Sequence, residues 1–192
     1  LKRNNVVTGF KEWLKKAFDI KHNILVYVLV IVYAAIYYVI GCAINGFEVG
    51  APIFKLIVLI PMMLFGGGNE EVGWRMILQP ELEKKFKFHL ATIFTAVIWW
   101  LWHLPIFFIK GTANYTMNYF MFGIMCLMLS YALATIRKVS KGVFPCILTH
   151  CLINGLSATL VFNYSWLSCC ISLVVTIIVS IIILNINKRY VS

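Results

Sequence analysis

The chain reads as an all-α polytopic membrane protein. It is a bundle of about six transmembrane helices with an N-terminal amphipathic helix and a motif-bearing helix after a glycine-rich break. Three observations predict this. Of its 192 residues 61% are hydrophobic and only 12% charged, with mean hydropathy +0.88, whereas soluble domains are about 25% charged. A soluble fold of this length cannot hide so much apolar surface, so the solvent for most of the chain is lipid. Apolar runs of roughly spanning length recur, and most basic residues lie between them, as positive-inside topology requires. A cytoplasmic globular enzyme, a disordered chain and a small secreted disulfide domain are thereby excluded. Nucleic acid is excluded as the partner behind the net charge of +10, because a basic patch for DNA would be gathered on one soluble face.

Residues 1–22 interleave Lys2, Arg3, Lys11, Lys15, Lys16 and Lys21 with Phe10, Trp13, Leu14, Phe18 and Ile20 at helical spacing. This predicts an interfacial amphipathic helix on an anionic leaflet, with membrane lipid as a partner and no cleavable signal peptide. The membrane domain is 23–192. Its apolar runs fall at 24–44, 51–66, 88–109, 117–136, 142–161 and 167–186. The run 51–66 reads as a short span or as part of a broken one ending at Gly66-Gly67-Gly68. From Asn69 to Lys87 a less apolar helix adds no full crossing. With one crossing per run, 14 of the 17 basic residues share the side of the N-terminus and only Lys110 lies opposite, Lys55 and Arg75 falling within segments. That predicts cytoplasmic N- and C-termini. The Lys-, Ile- and Asn-rich composition suits an AT-rich bacterial genome, hence a plasma membrane. All six cysteines lie in apolar stretches and read as small packing residues.

Ionisable groups at membrane depth are costly and usually face a cavity or one another. In Glu70-Glu71-Val72-Gly73-Trp74-Arg75, Glu71 and Arg75 stand one turn apart with the acid first, the better orientation for an ion pair. His103 sits among tryptophans in Trp99-Trp100-Leu101-Trp102-His103, and His150 and Asn154 share one helix face. Singly, these fit a helix start, an interface belt and interhelical hydrogen bonding. Geometry joins them. If the chain turns back near 86–88, Glu71 and His103 are each about sixteen residues from the turn, at one depth roughly 24 Å away. The acid and the imidazole then face each other, and His150 and Asn154 reach a similar depth on a third helix. One buried cluster of two acids, two histidines, an Asn and an Arg has the makings of a site.

Several chemistries fail on the residues. Gly155-Leu156-Ser157-Ala158 breaks the rhomboid GxSG pattern, and Asp19 is the only aspartate, which excludes an aspartyl dyad. No His-Glu-x-x-His is present, and the three glycines are followed by Asn-Glu and not by Gly-Lys. Water activation by glutamate and histidine remains, with or without a metal.

At these residues the chain resembles the CAAX protease and bacteriocin-processing family (CPBP, also called Abi), best known for type II prenyl-protein CAAX proteases. The family pattern is Glu-Glu-x-x-x-Arg, then Phe-x-x-x-His, then His-x-x-x-Asn. Here these are Glu70-Glu71-Val72-Gly73-Trp74-Arg75, Trp99-Trp100-Leu101-Trp102-His103 with Trp99 for the usual Phe, and His150-Cys151-Leu152-Ile153-Asn154. The family-like core spans about 51–161. The resemblance implies that Glu70 and His103 activate water, that His150 and Asn154 hold the oxyanion, and that Glu71 with Arg75 orients the site. A carboxylate in low dielectric is a stronger base, and a neutral His and an Asn amide can each donate to an oxyanion. The family's metalloprotease label allows Glu70, His103 and His150 as an open zinc site. No two of them have short helical spacing, so no cofactor is the favoured expectation. Family substrates are prenylated C-termini, bacteriocin or pheromone leaders, and membrane proteins. For a bacterial chain, a peptide or membrane-protein substrate linked to bacteriocin maturation or immunity is expected. The residues leave two other readings, a non-catalytic immunity or scaffold protein and a small transporter. Against the second, the chain shows no paired half-helices.

Overall fold

The computed structural model describes the backbone of residues 8–191 and side chains as far as residue 187. The first seven residues of the 1–22 segment, with Lys2 and Arg3, and the side chains of Lys188 and Arg189 lie outside the described residues. Helix α1 (Phe10–Ala17) is amphipathic but only eight residues long. Its Glu12 accepts from the Thr8 backbone N–H at 2.7 Å and pairs with Lys16 at 2.8 Å. The Lys16 ammonium, then Thr8, hold this carboxyl down at about 2. Ala17, Trp13 and Phe18 pack on Val72, Met76, Val143, Ile147 and Cys151, so the apolar face covers protein, while Phe10 and Leu14 remain exposed. The helix stops at Phe18, and Asn23 caps the next one by accepting from Leu25 N–H.

Helix α2 (Ile24–Asn45) is followed by Gly46 at φ +69°. Helices α3 (Ile53–Met62) and α4 (Leu64–Glu83) are bent by 55°. The bend lies at Gly66 and Gly67, where φ of +136° at Gly67 is open to glycine and strained for other residues. Helix α5 (Phe88–Trp102) continues through a 3-10 turn to Phe108. Helices α6 (Tyr119–Ser140), α7 (Phe144–Leu156) and α8 (Trp166–Val191) complete the chain. Among the described residues, α2, α5 with its 3-10 turn, α6 and α8 are long and apolar enough to span a membrane, which makes four spans, or five when the bent pair is counted as one broken span. The protein is an all-α polytopic membrane protein.

Two of the six apolar runs differ from simple spans. The run 51–66 belongs to the bent pair. The run 142–161 is a 13-residue helix, α7, followed by a short strand. That strand, β2 (Leu160–Val161), pairs antiparallel with β1 (Glu48–Val49) in the register Glu48↔Val161 and Val49↔Leu160. It ties the end of α2 to the end of α7. The turn between α4 and α5 falls at Lys84–Lys87, as the hairpin required.

Helix α6 is the centre of the bundle, with every residue from Ser130 to Ile136 buried. Its Ala132, Leu133 and Ile136 pack with Val26, Val30 and Tyr33 of α2, Trp99 of α5 and Cys146 of α7. Small residues let backbones approach closely where the hydrophobic effect cannot drive helices together. At Gly123 a Cβ would sit 2.9 Å from the Trp100 ring. Tyr33 and Ser180 share a hydrogen bond of 2.9 Å between α2 and α8. Cys126, Cys146, Cys151 and Cys169 are buried and unpaired, in keeping with a packing role.

Candidate active site

The bend between α3 and α4 carries the backbone of Gly66–Gly68 into the bundle beside α7. The Asn154 side chain donates to Gly66 O at 3.0 Å. At Gly67 a Cβ would lie 2.8 Å from both Asn154 Nδ2 and His150 Nε2. With φ at +136° as well, glycine is the residue suited to position 67.

Immediately after it, the two acids diverge. Glu71 points into the protein and is completely buried. Its Oε2 accepts from Arg75 Nε at 3.0 Å, and its Oε1 is 2.9 Å from His150 Nδ1. A carboxylate so placed only accepts, so His150 Nδ1 carries the proton and Nε2 is left on the side of Gly67. Glu70 points into a cavity of about 450 Å³ between α4, α5, α6 and α7. Its Oε2 accepts from the indoles of Trp99 at 2.8 Å and Trp74 at 3.2 Å. Its Oε1 faces His103 Nε2 at 4.0 Å. The other ring nitrogen, His103 Nδ1, is 2.9 Å from Trp99 O. A carbonyl only accepts, so Nδ1 donates and Nε2 presents a lone pair to Glu70 in the neutral ring.

Glu70, His103, His150 and Asn154 all line this one cavity, whose remaining wall is mostly apolar, including Phe65, Ile106, Phe122 and Ile153. The expectation that Glu71 faces His103 is corrected: Glu70 does. Equal depth along two helices is met, but neighbouring helical residues point about 100° apart, so depth does not choose the face. Glu71 turns inward because Arg75 and His150 both lie there.

Arg75 is also fully buried, above the Trp99 ring at 5.8 Å. Beyond Glu71 it donates to Gln79 Oε1 at 3.3 Å and Ser130 Oγ at 3.1 Å. Gln79 in turn donates to Glu83 at 3.0 Å and Thr92 at 3.2 Å, and Glu83 pairs with Lys138 at 2.7 Å. A polar ladder with four-residue steps thus runs along α4 from His150 to the end of the bundle. Gln79, Ser130 and Glu83 did not stand out in the sequence, although the series 71, 75, 79, 83 has helical spacing. The indole donors of Trp74 and Trp99 were also missed.

The zinc reading requires Glu70, His103 and His150 to converge on one point. Among the described residues, no three His, Cys, Asp or Glu side chains are gathered closely enough to hold a metal ion. As placed, Glu70, His103 and His150 do not form a zinc site.

No curated protein matches the chain significantly. A family model described as type II CAAX prenyl endopeptidase Rce1-like matches residues 52–156, more than half of the chain. That range includes α4 with both acids, α5 with His103 and α7 with His150 and Asn154. The integral membrane architecture and this match together show that the chain belongs to the type II CAAX prenyl endopeptidase Rce1-like family of intramembrane proteases.

Proposed function

We propose that the protein hydrolyses a peptide bond of a membrane-associated peptide or protein, with Glu70 and His103 activating the attacking water. The observation that carries this reading is the pair of acceptors, Glu70 Oε1 and His103 Nε2, 4.0 Å apart in a cavity. A water between them donates one hydrogen to each and keeps its lone pairs for the substrate carbonyl. Trp99 and Trp74 hold the other Glu70 oxygen, so the carboxylate cannot swing away from the water. Glu70 takes one proton from the water as it attacks, and this proton passes to the leaving amine.

The oxyanion falls to His150 and Asn154. Asn154 spends one amide hydrogen on Gly66 O and has the second for the oxyanion. His150 already donates Nδ1–H to Glu71, so its Nε2 donates only when the ring carries both protons. In that donor form the ring lies against the Glu71 carboxylate, whose Oε1 is 2.9 Å from Nδ1. Glu71, anchored by Arg75, is the positioning group for that ring. The apolar wall accepts apolar side chains next to the scissile bond, which suits a peptide drawn from the bilayer or its surface.

The test uses purified protein in detergent or nanodiscs with a membrane-anchored reporter peptide. Glu70→Gln, His103→Ala and His150→Ala should each lower turnover by about a hundredfold or more while the protein still folds. Melting should be unchanged in the first two and lowered in His150→Ala, which leaves Glu71 Oε1 unpaired. Their losses should not add, because the groups act as a unit. Exhaustive chelation should leave wild-type turnover intact. Near-normal turnover in Glu70→Gln would overturn the reading. Activity lost to a chelator and restored by stoichiometric zinc would replace it with metal chemistry.

A further inference from the structure

Two surface cavities adjoin where α4 turns into α5, far along the bundle from the proteolytic cavity. The first, of about 390 Å³, is walled by Lys84, Lys85, Lys87 and Lys138 together with Glu83 and two phenylalanines. The second, of about 340 Å³, is a groove between the start of α5 and the end of α8, lined by His89, Ile181, Leu184 and Asn185. Both include Lys87, Phe88 and Lys138, so they form one continuous surface. Lys84 is held by Glu81 and Lys138 by Glu83, each at 2.7 Å. Lys85 and Lys87 are exposed and, among the described residues, form no ion pair with a carboxylate. The cavity therefore carries an excess of two positive charges, and its floor leads directly onto apolar side chains. Ile181 and its neighbour Ile182 are about half exposed on a helix that spans the membrane.

We propose that this surface is a binding site for an anionic phospholipid. The phosphodiester sits between Lys85, Lys87 and Lys138, and one acyl chain lies in the groove over Ile181 and Leu184. Each half of the site argues against another ligand. A free phosphate or phosphorylated metabolite would leave the apolar groove unused. A zwitterionic lipid would bring its own ammonium against a cavity that already has too many. Asn185 and His89, at the polar end of the groove, supply hydrogen-bonding groups at the level of the glycerol esters. The lysines also lie at the ends of α4, α5 and α6, where headgroups are found.

Native mass spectrometry of the full chain, released from phosphatidylcholine nanodiscs doped with phosphatidylglycerol, tests the proposal. One phosphatidylglycerol should be retained per chain. Lys85→Gln with Lys87→Gln should weaken retention roughly thirtyfold, the share of two basic residues in attraction to an anionic surface. Ile181→Trp changes no charge but fills the groove at an exposed position, and it too should lower retention. Lys11→Gln with Lys15→Gln removes equal charge from α1 and should leave retention unchanged. Melting curves confirm that each variant is folded. The proposal is overturned if the Lys85 and Lys87 pair of changes has no effect, or if the α1 changes reduce retention equally, which would mean diffuse surface attraction. It is also overturned if Ile181→Trp binds as the wild type does, or if glycerol phosphate competes as well as intact lipid, since either result removes the chain-binding groove.

Discussion

Trp99 does something at its position that a phenyl ring does not. Its ring packs beside Arg75 and His150, as any aromatic would, but its N–H also reaches Glu70 Oε2 at 2.8 Å. Hydrogen bonds to charged groups contribute about 1.5–3 kcal/mol, so Trp99→Phe should reduce kcat by roughly tenfold or more. KM should stay nearly constant, because the lost contact orients the base and does not bind substrate. An equal rise in KM would assign Trp99 to substrate binding instead. The two neighbouring acids should separate just as cleanly. Glu70→Gln removes a cavity-facing group and should leave stability almost unchanged. Glu71→Gln leaves Arg75 buried without its counter-charge, which costs about 3–5 kcal/mol, read as a large drop in melting temperature. If both variants melt like the wild type, Glu71 and Arg75 do not anchor the fold. The sequence showed that acids and histidines share a depth, because rise per residue is a matter of counting. It did not show which acid turns toward which histidine, because that depends on tertiary partners such as Trp99 and Arg75.

At the scale of elements, the bent pair α3–α4 matters most, since it turns a would-be span into a support for the site. The glycine break was legible at Gly66–Gly68, and its direction was not. Only the positive φ of Gly67 and the neighbouring α7 side chains show that the break serves close approach. Gly67→Ala would force a Cβ toward Asn154 and His150 in a backbone region unfavourable to side chains. It should cost about 1–3 kcal/mol of stability and suppress turnover by more than that loss explains, measured below the melting range. Wild-type kinetics in Gly67→Ala would mean that the bend is not needed for the oxyanion side of the site. The apolar run 142–161 shows a different limit of pattern reading. Hydropathy treats its twenty residues alike, but α7 ends at Leu156 and the chain pairs with β1. The strand partner, Glu48–Val49, is more than a hundred residues away, beyond any local signal.

Across the whole molecule, the ends of the helices sort into two sets. Lys138 at the end of α6 reaches Glu83 at the end of α4, and Lys87, Phe88 and Leu184 line one groove. The α4–α5 turn, the α6–α7 turn and the last part of α8 therefore share one end of the bundle. The turn after α5 is separated from them by the length of that helix, which places Lys110 at the other end. Geometry alone assigns neither end to a compartment, and we propose the orientation from charge. The first end gathers Lys84, Lys85, Lys87, Arg137, Lys138 and Lys141, against Lys55 and Lys110 at the second, and by the positive-inside rule such a bias predicts that the basic end faces the cytoplasm. Single-cysteine variants in a background without the native thiols test this orientation. Lys87→Cys and Lys141→Cys, both exposed sites, should resist a membrane-impermeant maleimide added to intact cells and react once the cells are opened. Lys110→Cys should react from outside at once. Labelling of Lys87→Cys and Lys141→Cys in intact cells, with Lys110→Cys protected, would invert the molecule, and the lipid-binding lysines would then face the outer leaflet.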